Sequence, residues 1–315
     1  MKSPKAKHKL TTISDLVRHL GINESFLCEL LDELTSDDTK LYRSWEEPKK
    51  SGGTRPIDAP NEKLSFVQRR INDRILQRTR IHKTAIGGVH GKSLIDNLKI
   101  HVGKPMVANF DLKSFFANIS CKQVYETFCA VGVSSMVAKV LMRLTTFKGR
   151  LPQGAPTSTM LSNIVAGYEM QNCLDRRIGG LCQEHGSQNR RWIDDLSISG
   201  PRYLPKLEGT VKRIIEQSGF KPNTDKISFA SDKEPQVVTR HLVNVKPNIR
   251  KDERRRLRAI LHKCRTIGPE KVTAASIEAL RNRLRGKIAH IQSVNPGLGA
   301  KFLRDFNSIH WPTLL

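Results

Sequence analysis

Apolar residues between positions 11 and 34 recur at helical spacing. Ser14 is placed to cap a first helix, and Gly21 ends it. Asn23 is placed to cap a second, whose stripe is Phe26, Leu27, Leu30, Leu31 and Leu34. Residues 48–60, with Gly52 and Gly53 between basic residues, predict a hairpin or loop. Residues 62–79 return to helical periodicity through Leu64, Val67, Ile71 and Ile75, under an arginine-rich outer face, and a Gly-rich turn follows at 86–91.

Residues 106–112 alternate as a strand, with Val107, Asn109 and Asp111 on one face and Ala108, Phe110 and Leu112 on the other. Asp111 ends that strand, where the pleat aims it out of the sheet. Ser120 and Gln123 form a capping-box pattern for a helix that runs to about Val131 and stops at Gly132. Another helix begins after Pro156 with Leu161, Ile164, Val165 and Tyr168 on one face, and residues 190–199 alternate again as a strand interrupted by Asp194 and Asp195. Beyond about residue 245 the chain is helical and basic. Residues 250–265 carry eight Lys/Arg against two acids, over a stripe of Leu257, Ile260, Leu261 and Cys264.

Charge narrows the choice of partner. Lys and Arg total 54 against 30 acids, a formal net charge of +24, whose self-repulsion is most readily offset by a polyanion. No stretch of about eighteen apolar residues suggests a membrane span, and MKSPKAKHKL lacks the apolar core of a signal peptide. The six cysteines are scattered, with no zinc-like spacing and no disulfide framework, as in a protein of a reducing cytosol. Any metal is therefore expected on carboxylates.

FDLKSFF around Asp111 and WIDDLSIS around Asp194 and Asp195 supply them. Strand-borne carboxylates brought together from distant segments suit two Mg²⁺ ions roughly 3.5–4 Å apart, which stabilise the attacking and leaving oxygens of phosphoryl transfer. An adjacent pair of acids is by itself usually a solvated turn. This pair lies within an apolar strand, where charge is costly unless paired or bound to metal. Between the two sites, LPQGAPTS (residues 151–158) builds a tight turn that presents Gln153 as an amide reader of a base pair.

In that order the three segments resemble the catalytic signature of reverse transcriptases. KKSGGTRPIDAP (49–60) resembles the basic segment that holds the incoming triphosphate, which implies Lys50 and Arg55 as phosphate ligands with Lys49 as alternate. GFKPNTDKISF (219–229) resembles the motif whose lysine, here Lys226, lies beside the nucleotide phosphates as a general-acid candidate. Leu112, Phe116 and Gln153 complete the implied deoxynucleotide contacts, Phe116 as the ring that blocks a ribose 2′-hydroxyl.

Among reverse transcriptases the chain resembles the bacterial retron enzymes. DNLKIH (96–101) resembles their Asn-Ala-x-x-His element, with Asn97 and His101 in place. VVTRHLVNVKPNI (237–249) resembles their Val-Thr-Gly element, and IAHIQSVNPGLGAKFLRDFN the end of their helical thumb. Trp192 and Ile193 stand where tyrosine and alanine are usual, Thr159 where proline is common, and Arg240-His241 where a glycine is expected.

The resemblance implies an α+β right-hand polymerase. Its parts would be an N-terminal helical extension (1–45), fingers (46–105), an antiparallel palm sheet (106–245) and a basic helical thumb (246–315). Asp111 and Asp194 would bridge two Mg²⁺ ions, with Asp195 supporting. Asn97, His101, Val238 and Thr239 would contact a structured noncoding RNA, and Arg254, Arg255 and Arg258 its phosphates. The implied product is branched RNA-linked DNA, made in the cytoplasm from dNTPs alongside an effector protein in defence against phages. Other bacterial reverse transcriptases and a silent RNA-binding scaffold are the rival readings. The intact aspartates and Arg55 argue against the scaffold.

Overall fold

The computed structural model describes residues 10–49, 52–167, 173–273 and 276–312; Lys50 and Tyr168 lie outside them. Helices α1 (Ile13–Leu20) and α2 (Glu24–Ser36) lead into strands β1 (Tyr42–Pro48) and β2 (Thr54–Pro60). There follow α3 (Glu62–Arg74), α4 (Leu94–Leu98), β3 (Met106–Asp111), α5 (Cys121–Ala130), α6 (Ser135–Thr145), α7 (Ser158–Gly167) and α8 (Leu174–Glu184). Strands β4 (Gln188–Trp192) and β5 (Asp195–Gly200), α9 (Glu208–Gln217) and β6 (Ser228–Ser231) come next. Short strands β7 (Val237–Val238), β8 (His241–Leu242) and β9 (Asn248–Ile249) precede α10 (Lys251–Ile267), α11 (Ile277–Val294) and α12 (Pro296–Asn307).

Local chemistry accounts for most boundaries. Thr12, rather than Ser14, caps α1. Its hydroxyl accepts from the Asp15 N–H while the Asp15 carboxylate returns to the Thr12 N–H, a reciprocal box unavailable to Ser14. Gly21 closes α1 in the left-handed region, Asn23 caps α2, and Ser120 with Gln123 forms the expected box on α5. The 48–60 segment is the second half of a longer antiparallel hairpin that starts at Tyr42, in register Trp45↔Ile57 and Glu47↔Arg55. Trp45, a large apolar ring of the kind usually enclosed, is 44% exposed. Residues 190–199 are not one strand but two neighbouring ones, β4 and β5, joined through Ile193-Asp194.

Three sheets result, in the orders β1-β2, β4-β5-β3-β6 and β7-β8-β9. The chain divides into two compact units, one of residues 1–92, 109–197 and 205–228, the other of 93–108, 198–204 and 229–315. In the first, α1 packs on α3, and α5 on α6 and α7. In the second, α10, α11 and α12 enclose Leu257, Leu261, Leu284, Ile288, Phe302 and Phe306. A smaller cluster in the same unit joins Leu98, Val107, Val238, Val243 and Val294. Among the described residues no helix is long and apolar enough to cross a membrane, and the six cysteines are free.

Between β7 and β8 the two-residue connection Thr239-Arg240 has φ of 44° and 66°. Consecutive positive φ values are what a type I′ turn requires, and glycine is preferred at its second position. Arg240 stands there, which explains why the related motif carries glycine. Arg240→Gly is therefore expected to raise the denaturant midpoint, by roughly 0.5–1 kcal/mol of stability once the greater freedom of the unfolded glycine is subtracted. An unchanged or lowered midpoint would show that the turn is unstrained.

Candidate active site

The first unit brings Asp111 and the Asp194-Asp195 pair together through backbone pairing. The Leu112 N–H donates to the Asp194 carbonyl at 3.0 Å, joining the end of β3 to the turn that precedes β5. From the other side the Asn223 N–H donates to the Asp111 carbonyl at 2.8 Å, and the Lys113 N–H donates to Lys221. The GFKPNTDK segment thus lies directly against the Asp111 strand.

Its side chains converge on the Asp111 carboxylate. Lys226 Nζ lies 3.1 Å from both oxygens, and Asn223 Nδ2 donates to Oδ2 at 2.8 Å. Burial pushes the Asp194 carboxyl above its ordinary range, with the Asp111 charge adding to the effect. Two acids near enough to feel one another, in a half-buried position, form a donor set of hard oxygens that suits a divalent cation such as Mg²⁺. Among the described residues no three His, Cys, Asp or Glu side chains already converge as a ligand cluster. The fit therefore rests on the identity and proximity of the donors.

The remaining candidates occupy three places. Leu112 is buried under the strand end. Phe116 is half-buried beside Phe115, ring centroids 5.8 Å apart, and Phe115 packs on Phe220. Gln153 sits in a loop fastened to β2, its carbonyl accepting from the Asp58 N–H at 2.8 Å. Gly154 follows at φ 129°, where an added Cβ would lie 3.1 Å from the Asp58 carbonyl oxygen. Arg55 projects from β2 and pairs with Glu47 across the hairpin. Both are largely exposed, so the pair is weak and easily exchanged for a stronger anion.

The RNA-contact candidates lie in the second unit and divide by exposure. Asn97, His101 and Val238 are buried. Asn97 Nδ2 donates to the Thr239 hydroxyl at 2.9 Å, and His101 Nδ1 is 2.7 Å from the Ser199 hydroxyl. Their buried side chains meet protein partners: Asn97 holds the Thr239-Arg240 turn from within, Val238 packs in β7, and His101 fastens to Ser199 on β5. Arg255 and Arg258 are exposed on α10 and Arg254 is partly so, in keeping with a phosphate-facing surface.

Pattern reading missed the group that holds the Ile193-Asp194 turn. Arg191, at the end of β4, is fully buried. Its Nε and Nη2 donate to the two oxygens of buried Asp175, each at 2.7 Å. Nη1 donates to Asn163 Oδ1 at 3.0 Å and to the Ile193 carbonyl at 2.7 Å. Ile193 has φ 62°, a costly conformation for a β-branched residue. Gly87 packs against it so closely that an added Cβ would sit 2.8 Å from the Ile193 nitrogen. Asn163 ties Gly87 in by donating to its carbonyl at 2.7 Å. The available sequence signal was an arginine inside a strand, which needs a buried acid somewhere in the fold.

With the geometry known, comparison with other proteins gives the class. A family model described as reverse transcriptase (RNA-dependent DNA polymerase) matches residues 47–265, and the chain belongs to that family. Its curated relatives include the retron Mx65 reverse transcriptase of Myxococcus xanthus, 29% identical over 313 residues, covering 93% of this chain and 70% of the relative. The retron Mx162 reverse transcriptase of the same organism is 28% identical, covering 96% and 67%. The retron Ec86 reverse transcriptase of Escherichia coli is 27% identical, covering 66% and 64%. Candida albicans telomerase, solved with a fragment of telomeric RNA, aligns at a TM-score of 0.44 and 10% identity, covering 90% of this chain and 64% of that one.

The buried clamp yields a prediction in two parts. Asp175→Ala strands the Arg191 charge and is expected to cost about 3–5 kcal/mol in urea unfolding. Gly87→Ala forces backbone to shift at the turn, so it should lower stability by roughly 1–3 kcal/mol and slow primer extension in the remaining folded protein by roughly a hundredfold. Full activity in a folded Gly87→Ala protein would mean the turn tolerates that displacement.

Proposed function

We propose that this chain is a retron-type reverse transcriptase, an RNA-directed DNA polymerase of right-hand organisation that copies a cognate structured noncoding RNA into branched, RNA-linked single-stranded DNA. One observation carries the reading: the Asp111 strand end meets the Asp194 turn, with Lys226 on the Asp111 carboxylate. The retron names of the curated relatives support the subtype. In this reading residues 46–105 serve as fingers, 106–245 as palm and 246–315 as thumb, after an N-terminal helical extension.

Asp111, Asp194 and Asp195 would hold two Mg²⁺ ions, which when bound stabilise charge on the attacking and leaving oxygens. The protein's own residues do the positioning. Lys50 and Arg55 grip the triphosphate, Arg55 exchanging its Glu47 partner for phosphate oxygens. Leu112 and Gln153 set the nascent base pair, and Phe116 closes the space a ribose 2′-hydroxyl would need. A primer hydroxyl releases its proton to solvent as its oxygen bonds to the α-phosphorus and the bridging α–β P–O bond breaks, and the Lys226 ammonium supplies a proton to the departing pyrophosphate. Primer and template are held by exposed arginines, among them Arg254, Arg255 and Arg258. The Thr239-Arg240 turn, supported from within by Asn97 and Val238, meets the RNA, with His101 held nearby on Ser199. The cellular setting we infer is cytoplasmic defence against phages, with an effector protein of the same locus as partner.

Asp194→Asn separates chemistry from binding. The variant should lose DNA synthesis by at least about a thousandfold, as loss of a transition-state charge stabiliser does, while melting and binding RNA like wild type. Extension at the wild-type rate would overturn the assignment. The subtype is tested by expressing the enzyme with its native flanking DNA. The copurifying nucleic acid should be part RNase-sensitive and part DNase-sensitive, joined by a 2′–5′ branch that only a debranching enzyme opens. Efficient extension of any primed RNA with no such branch would leave the polymerase and remove the retron.

A further inference from the structure

A cavity of about 540 Å³ opens between α1 and the end of α3, in the first unit. Leu10, Asp15, Arg18, His19, Arg74 and Arg78 line it, and none of them belongs to the candidate active site. Asp15, Arg18 and His19 share one face of α1, three and four residues apart. Arg74 ends α3, and Arg78 lies in the turn that follows. Cationic groups from two distant segments therefore meet around one space.

The walls of the cavity are fixed to one another. Arg74 Nη1 donates to the His19 carbonyl at 2.8 Å, and the His19 ring Nε2 donates in return to the Arg74 carbonyl at 3.1 Å. Gly21 leaves room for this, since an added Cβ would lie 2.9 Å from Arg74 Nη1. Leu10 is anchored too, its carbonyl accepting from the Ser134 N–H at 2.9 Å. Arg74 is thus a strut, and the groups left to meet a ligand are Arg18 and Arg78. Both are exposed, and among the described residues neither has a carboxylate partner. The one acid in the lining, Asp15, is already engaged in the cap of α1. Hydrogen bonds from the Thr11 hydroxyl and from the N–H groups of Thr12 and Thr11 hold its carboxyl down at about 2. Three guanidiniums against one carboxylate leave the cavity cationic.

We propose that this cavity is a phosphomonoester site of nucleotide size. A phosphomonoester carries roughly −1.5 to −2 charge at pH 7 and three terminal oxygens, enough to accept from Arg18 and Arg78 together. A singly charged backbone diester matches that donor set less well. The volume lies within the range of small-molecule sites, well beyond what a lone phosphate fills. The nucleoside joined to the phosphate lies against Leu10, while Arg74 and His19 hold the walls apart. Two sources present the same group, a free nucleoside 5′-monophosphate and the 5′-phosphorylated end of a strand. The site stands apart from the polymerase reading, which uses none of these residues.

Calorimetric titration of the full chain tests the site with adenosine 5′-monophosphate and with one short RNA carrying either a 5′-phosphate or a 5′-hydroxyl. Wild type should bind the 5′-phosphorylated RNA roughly tenfold more tightly than its 5′-hydroxyl counterpart. Arg18→Ala combined with Arg78→Ala should erase that preference while leaving thermal melting unchanged, because both side chains are exposed. Lysine at both positions keeps the charge without the forked donors and should retain part of the preference. Monophosphate binding that the double alanine variant loses would support the site and name a free nucleotide as its ligand. A variant-sensitive preference confined to the RNA would support it and name the strand end. Equal binding of the two RNAs, with no variant-sensitive binding of the monophosphate, would overturn the site, as would a preference that survives the double alanine variant. Inorganic phosphate competing as well as the monophosphate would overturn the nucleotide-sized ligand.

Discussion

A single buried guanidinium governs the geometry of the candidate active site. Arg191 and Asp175 both lie out of contact with water, where desolvating each ion costs several kcal/mol. Their bidentate bond offsets much of that cost, but an apolar pair of similar volume would fill the same space without incurring it. What the ion pair supplies is direction. With two nitrogens committed to Asp175, the planar guanidinium has one orientation, and its remaining nitrogen reaches Asn163 and the Ile193 carbonyl. The Ile193-Asp194 turn is held at a strained φ because a rigid donor waits on one side and Gly87 closes the other.

That arrangement explains how a chain of net charge +24 uses its arginines in different ways. Arg191 is an interior strut fully committed to protein partners. Arg70 and Arg74 donate to the Leu20 and His19 carbonyls at the end of α1, completing a helix terminus. Arg255 and Arg258 face solvent on α10, over a stripe of Leu257, Leu261 and Cys264 that fastens the helix to its unit. Only the last kind is free to meet a polyanion. Net charge therefore points to a nucleic-acid partner without telling which arginines reach it.

Much of the site could be read from local pattern. Strand alternation put Asp111 at the end of β3, and the capping box placed α5, because both depend on neighbours within a few residues. The same alternation misled at 190–199. Arg191 and Ile193 continue the period through the turn, so the pattern shows no break where β4 ends and β5 begins. Asn97 and His101 were recognisable as a motif, yet their burial was not. A polar residue looks solvent-facing until its partners, here Thr239 and Ser199, arrive from far along the chain. Trp45 departs from the ordinary rule in the opposite sense, since a large apolar ring is usually enclosed and only the placement of the hairpin leaves it bare.

By itself the sequence determined the candidate reactive groups, their order and the signs of charge around them. Asp111, Asp194, Asp195 and Lys226 declare themselves through residue type and short-range spacing, which survive any uncertainty about the fold. Tertiary structure alone decided what each group touches. Lys226 and Asn223 meet Asp111 from more than a hundred positions away, and Asp175 meets Arg191 from another element. Such contacts leave little trace in local periodicity, because the energy that selects them is the cost of burying charge without a partner. That cost arises only when the packed chain has already excluded water.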